Sequence, residues 1–147
     1  MRGLGDLQRL YKTVQQEHVS YWSDLQNTLS SVYEELRALL GIEKSLPVGL
    51  NYGYLGEDGV FVRESTDNLP KDNQSIRFAL QVVLDSKESI NPPNLLVTSW
   101  SILGVREGVS LTGETGTEAV YEDSAAAAEA IMKAFENKLS KYSPYIR

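Results

Sequence analysis

The chain has 147 residues, 41% of them hydrophobic, with a net charge of −6 and a pI near 4.8. That length fits one domain able to close a core without metal or disulfide. The absence of cysteine excludes disulfides, zinc ribbons, iron–sulfur clusters and thiol catalysis, and the acidic balance runs against nucleic-acid binding, which needs a basic stripe to neutralise phosphates.

The first segment carries apolar or aromatic residues at Leu4, Leu7, Tyr11, Val14, Tyr21, Leu25, Leu29, Val32, Leu36 and Leu40, with His18 in the one gap. Ten steps in 36 residues give a period of 3.6, one face of a helix spanning residues 1–42. Asp6 is the expected N-cap and Gly41 the left-handed residue that ends the helix. At 1.5 Å per residue the helix would be roughly 52 Å long, against a radius of gyration of about 15 Å for a domain of this size. It must therefore overhang its own domain or break. Asn27-Thr28-Leu29-Ser30-Ser31 is the weak place, and Ser31-Val32-Tyr33-Glu34 reads as a capping box for a second helix start. The stripe keeps its phase there, which favours a continuous helix.

From residue 46 to 122 the period changes to two. Leu46, Val48, Leu50, Tyr52 and Tyr54 alternate with Pro47, Gly49, Asn51 and Gly53. Gly56-Glu57-Asp58-Gly59 marks a hairpin turn, Val60 to Arg63 returns, and Ser65 to Asn73 reads as a loop. Ile76, Phe78, Leu80, Val82 and Leu84 give the cleanest alternation, that of a central strand. Asn91-Pro92-Pro93 interrupts pairing because proline has no amide to donate. Strands follow at Leu95–Leu103, Val109–Leu111 and Ala119–Tyr121. A closing helix spans 123–143, capped by Asp123 or Ser124, with Ala127, Ile131, Phe135, Leu139 and Tyr142 on one face and Pro144 beyond. The expected fold is α+β over 1–147 as one domain: a long N-terminal amphipathic helix, an antiparallel meander of five or six strands, and a C-terminal helix packed on one sheet face. The element order resembles helix-grip and cystatin-like architectures, an analogy of fold that carries no function.

No catalytic, metal or nucleotide motif stands out. His18 is the only histidine, which rules out a multi-histidine metal site. The glycines at 49, 53, 56 and 59 lie in a hairpin rather than the strand-to-helix turn that a phosphate loop needs. The pattern therefore implies a non-catalytic interaction protein, without cofactor: a small acidic cytoplasmic adaptor, inhibitor or chaperone-like module. No membrane span or signal-peptide pattern appears. Two features give it surfaces. The overhanging helix, flanked by Tyr33, points to a homodimer through His18, Tyr21, Trp22 and Leu25. Six acids without a base between Glu107 and Glu129 point to recognition of a basic protein through Glu114, Glu118 and Glu122. The alternative is a small-molecule binder, with Tyr52 and Trp100 in a pocket between sheet and helix and Arg63, Arg77 and Arg106 supplying an anion clamp.

Overall fold

Helix α1 runs without interruption over Leu4–Leu40, 37 residues, in a computed structural model that describes residues 3–41, 49–105 and 108–145. At 1.5 Å per residue it is about 55 Å long. Thr28 Oγ1 donates to the Asp24 carbonyl at 2.9 Å and Ser31 Oγ to that of Asn27 at 3.1 Å. These hydroxyls bond back along the helix instead of capping a new one, so the possible break at Asn27–Ser31 does not occur. Asp6 is not the N-cap. The helix begins earlier, and Gly3 takes the cap position with no side-chain bond. Asp6 lies in the first turn, where its charge complements the helix dipole, and pairs with Arg9. At the far end Gly41 adopts φ 72° and its amide donates to the Ala38 and Arg37 carbonyls, as expected.

The strands are β1 (Leu50–Leu55), β2 (Phe61–Arg63), β3 (Lys71–Asp72), β4 (Ser75–Val83), β5 (Leu95–Val105), β6 (Gly108–Thr112) and β7 (Glu118–Tyr121). They form one antiparallel sheet in the order β2-β1-β4-β5-β6-β7, with β3 also on β4. This departs from a simple meander at one place, where β1 rather than β2 lies beside β4. The connection from β2 carries a 3-10 turn (Thr66–Asn68) and buries Leu69. The Pro70 carbonyl then accepts from the Arg77 amide, which extends the β3–β4 pairing along the edge of β4 that β1 occupies further on. The segment read as loop thus contains β3 and a tight return through Asn73, whose φ is 56°. Leu46 and Val48 lie outside the described residues.

The β1–β2 hairpin turns through Gly59 (φ 77°), with the Gly56 amide bonded to the Val60 carbonyl at 2.9 Å. The two strands approach so closely at Gly53 that a Cβ there would lie 1.8 Å from the Val62 carbonyl oxygen. On β4, Ile76, Phe78, Leu80 and Val82 are buried as their alternation requires, whereas Leu84 falls beyond the strand and is exposed.

Paired residues across a sheet point to the same face. The rows Tyr52–Leu80–Thr98, Leu50–Val82–Leu96 and Phe78–Trp100 therefore define one face, and it carries the core. Both helices cover it. Leu25, Leu29, Val32, Tyr33 and Leu36 of α1 are buried there together with Ala127, Ala128, Ile131 and Phe135 of the C-terminal helix α2 (Ser124–Ser140). Asp123 caps α2, accepting from the Ala126 amide at 2.9 Å. The helix stops at Ser140, short of Ser143, and leaves Leu139 and Tyr142 partly exposed.

Candidate functional site

The stripe on α1 divides into two parts. From Leu25 to Leu36 its residues are buried, and Leu40 is partly so. Before Tyr21 they are bare: Leu4 is 71% exposed, Leu7 53%, Tyr11 63% and Val14 40%. At about 100° per residue, these four lie within about 50° of the mid-line of the buried stripe. The helix therefore presents the same apolar face throughout, and the sheet covers only the later part. His18 is exposed on the bare part.

Tyr21 and Trp22 mark the boundary. Tyr21 Oη donates to the Gln74 carbonyl at 2.5 Å and accepts from the Gly104 amide at 3.2 Å. The Tyr21 and Trp22 rings meet edge to face at 5.2 Å, and Lys71 Nζ lies 4.9 Å from the Trp22 ring centroid. Of the four residues expected at a subunit contact, Leu25 is 3% exposed and belongs to the chain's own core. Tyr21 and Trp22 are half-buried against their own sheet, with part of each side chain still open, and His18 is exposed. Leu4, Leu7, Tyr11 and Val14 are the residues that the expectation overlooked. Their periodicity was visible, but not the point at which the sheet ends.

The acidic edge is also divided. β5 extends past the end of β6, which leaves the Val97 carbonyl and Ser99 amide without a neighbouring strand on that side. Lys138 Nζ on α2 donates to the Val97 carbonyl, and Glu114 Oε1 accepts from the Ser99 amide at 3.2 Å. The two side chains pair with each other at 3.2 Å. Together they supply the donor and acceptor that a neighbouring strand would bring. Glu114 is therefore engaged, whereas Glu118 and Glu122 are exposed. Lys138 had no sequence signal beyond that of a base in the last turn of a helix. Beside this pair, a cleft of about 420 Å³ opens between the sheet and α2, lined by Thr98, Trp100, Leu111, Tyr121, Asn137 and Lys138 among others. Trp100 Nε1 donates to Thr98 Oγ1 at 2.8 Å.

The residues of the expected anion clamp do not converge. Tyr52 and Trp100 lie on the helix-covered face. Arg63 pairs with Gly53, Gly53 with Ala79, and Arg77 with Ser101, which places both arginines on the opposite face. Arg63 donates instead to Asn51 Oδ1 at 2.7 Å, and Asn51 donates to Gln81 Oε1 at 2.9 Å. Arg77 is exposed, and Arg106 lies outside the described residues. Tyr52 stacks on Tyr33, with centroids 4.2 Å apart and planes 15° from parallel. Burial raises the pKa of both phenols. Neighbouring Tyr52 adds to the effect on Tyr33, and the Arg37 guanidinium opposes it at Tyr52. The Tyr33 hydroxyl is buried without a hydrogen-bond partner among the described residues.

Among the described residues, no group of three or more His, Asp or Glu side chains could hold a metal, and no helix is long and apolar enough to cross a membrane. No family model, curated protein or solved structure matches the chain.

Proposed function

We propose that the protein is a non-catalytic interaction module of a reducing, cytoplasmic compartment that works by presenting surfaces, and that it assembles as a homodimer through the bare part of α1. The observation that carries this reading is the apolar stripe of Leu4, Leu7, Tyr11 and Val14, left uncovered where the sheet stops. An exposed apolar stripe of this kind marks an interaction surface. Exposed Glu118 and Glu122 support a basic protein as a further partner. Light scattering on the wild-type chain and on Val14→Glu tests the assembly. The expected result is twice the chain mass at micromolar concentration for the wild type and the single-chain mass for the variant, with unchanged circular dichroism. A wild-type chain that stays monomeric into the hundred-micromolar range would overturn the reading.

A second reading rests on the cleft beside Trp100. Its volume of about 420 Å³ lies within the range of small-molecule sites, and it combines an aromatic wall with a few polar groups, as such sites do. Native mass spectrometry of the purified protein checks it: a retained small molecule that is lost in Trp100→Ala supports this reading, and its absence counts against it.

A further inference from the structure

The occupant of the bare stripe can be specified, resting on the assembly reading above. From Leu4 to Leu25 the apolar face advances in strict steps of three and four: Leu4, Leu7, Tyr11, Val14, His18, Tyr21, Leu25. That is a repeat of 3.5 residues, the spacing of a helix that packs lengthwise against another helix. Beyond Leu25 the next step is four again, to Leu29, and the helix is on its own sheet. The bare stretch from Leu4 to Tyr21 holds two acids, Asp6 and Glu17, and two bases, Arg9 and Lys12. It is thus electrically balanced in a chain of net charge −6, so two copies can approach here without the repulsion that the rest of the surface imposes.

Orientation follows from the sheet. The stripe and the sheet share one face of α1, so a parallel helix lying along the stripe would bring both sheets into the same space between the helices. A helix running the other way avoids this, because its own sheet then lies beyond Gly3, off the end of α1. We infer that two copies pair antiparallel through Leu4–Tyr21, in the register that sets Leu4 of one copy against Tyr21 of the second, Leu7 against His18, and Tyr11 against Val14. This is the longest overlap that stops before Leu25, which the chain's own core already occupies. It covers 18 residues, about 27 Å. At the flanks, Gln8 meets Gln15 and Leu10 meets Glu17, so no like charges face each other.

The cysteine-free chain makes the test direct. Single-cysteine chains Leu7→Cys and His18→Cys are bridged with a short bifunctional maleimide, each alone and as a mixture, and Tyr11→Cys is treated likewise with Val14→Cys. Both mixtures should give covalent dimers. Leu7→Cys and His18→Cys alone should not, since each lies 11 residues, about 16 Å, along the axis from its own copy, whereas Tyr11→Cys and Val14→Cys lie only three residues from theirs and should bridge alone as well. Val19→Cys, more exposed than Leu7, Tyr11 or Val14 but about 110° around the helix, should give none in any mixture. Leu7→Glu should weaken the dimer by about 100-fold or more, since it places an unpaired charge in an apolar seam, and Val19→Glu should leave it unchanged. A scattering dimer in which Leu7→Cys bridges to itself would overturn the antiparallel register while leaving the assembly reading intact. A chain that neither dimerises nor cross-links would overturn both.

Discussion

The two parts of α1 carry the same pattern and meet different fates. Leu29 and Leu36 are fully buried in the core that α1 shares with the sheet and α2, whereas Leu4 and Leu7, on the same face, are more exposed than not. Periodicity states which side of a helix calls for burial. It does not state what supplies that burial, because the sheet is assembled from residues 50–121, far along the chain. The sheet-covered part is held by intramolecular packing, and the bare part is helical because it continues a helix whose core-packed end is already formed.

Substitutions in the two parts should separate this difference. Leu29→Ala removes a fully buried side chain and should cost about 2–5 kcal/mol in denaturant melts, with Phe78→Ala, on the facing strand, at about 3–5 kcal/mol. Leu7→Ala, measured well below the dimer dissociation constant, should cost under about 0.5 kcal/mol. Equal losses at Leu7 and Leu29 would mean that the bare part packs on its own domain, and the comparison would fail.

A smaller effect is expected at the edge of β5. Lys138→Met removes the donor to the Val97 carbonyl and the partner of Glu114. It should lower stability by about 0.5–1.5 kcal/mol, toward the lower figure because the pair is more than a third exposed. Hydrogen exchange at the Ser99 amide should quicken in Glu114→Gln more than at amides within the β4–β5 ladder.

The smallest effect is a slope rather than a loss. The Tyr33 phenol has its pKa raised above the ordinary 10.0 by burial. In the unfolded chain it ionises first as pH rises, so the folded state binds the extra proton. The resulting stabilisation is complete below pH 10 and declines as pH climbs from there toward the folded value. Tyr33→Phe removes a buried hydroxyl with no partner among the described residues, so it should leave stability at pH 7 within about 0.5 kcal/mol and flatten the decline above pH 10. An unchanged alkaline slope in the variant would place the titration elsewhere.

Much of this architecture was legible in the sequence, and the rest has identifiable causes. α1, β4 and α2 announce themselves because Leu25–Leu36, Ile76–Val82 and Ala127–Phe135 each keep one period against one covering layer. The place of β1 beside β4 was not legible, since the connection from β2, which buries Leu69 and bonds the Pro70 carbonyl to the Arg77 amide, otherwise reads as polar loop. The strand patterns alone did not tell whether Arg63 and Arg77 share a face with Tyr52 and Trp100. Only the register, which sets Arg77 beside Ser101 and Trp100 beside Phe78, shows that the two groups have a sheet between them. Lys138 and Glu114 are 24 residues apart, too far for any local pattern to pair them.

Because β5 outruns its neighbours at both ends, its spare backbone groups could recruit foreign chains. An unpaired strand edge is a template on which another polypeptide can add, and repeated addition leads to aggregation. Here Tyr21 occupies the Gly104 amide at one end, and Glu114 with Lys138 occupies Ser99 and Val97 at the other. A strand arriving beside Val97–Ser99 must first separate and partly desolvate an ion pair, a cost that an apolar plug would not impose. The same two side chains that complete the ladder within one molecule thus protect its solubility, and their loss should appear in concentrated solution as turbidity before it appears as unfolding.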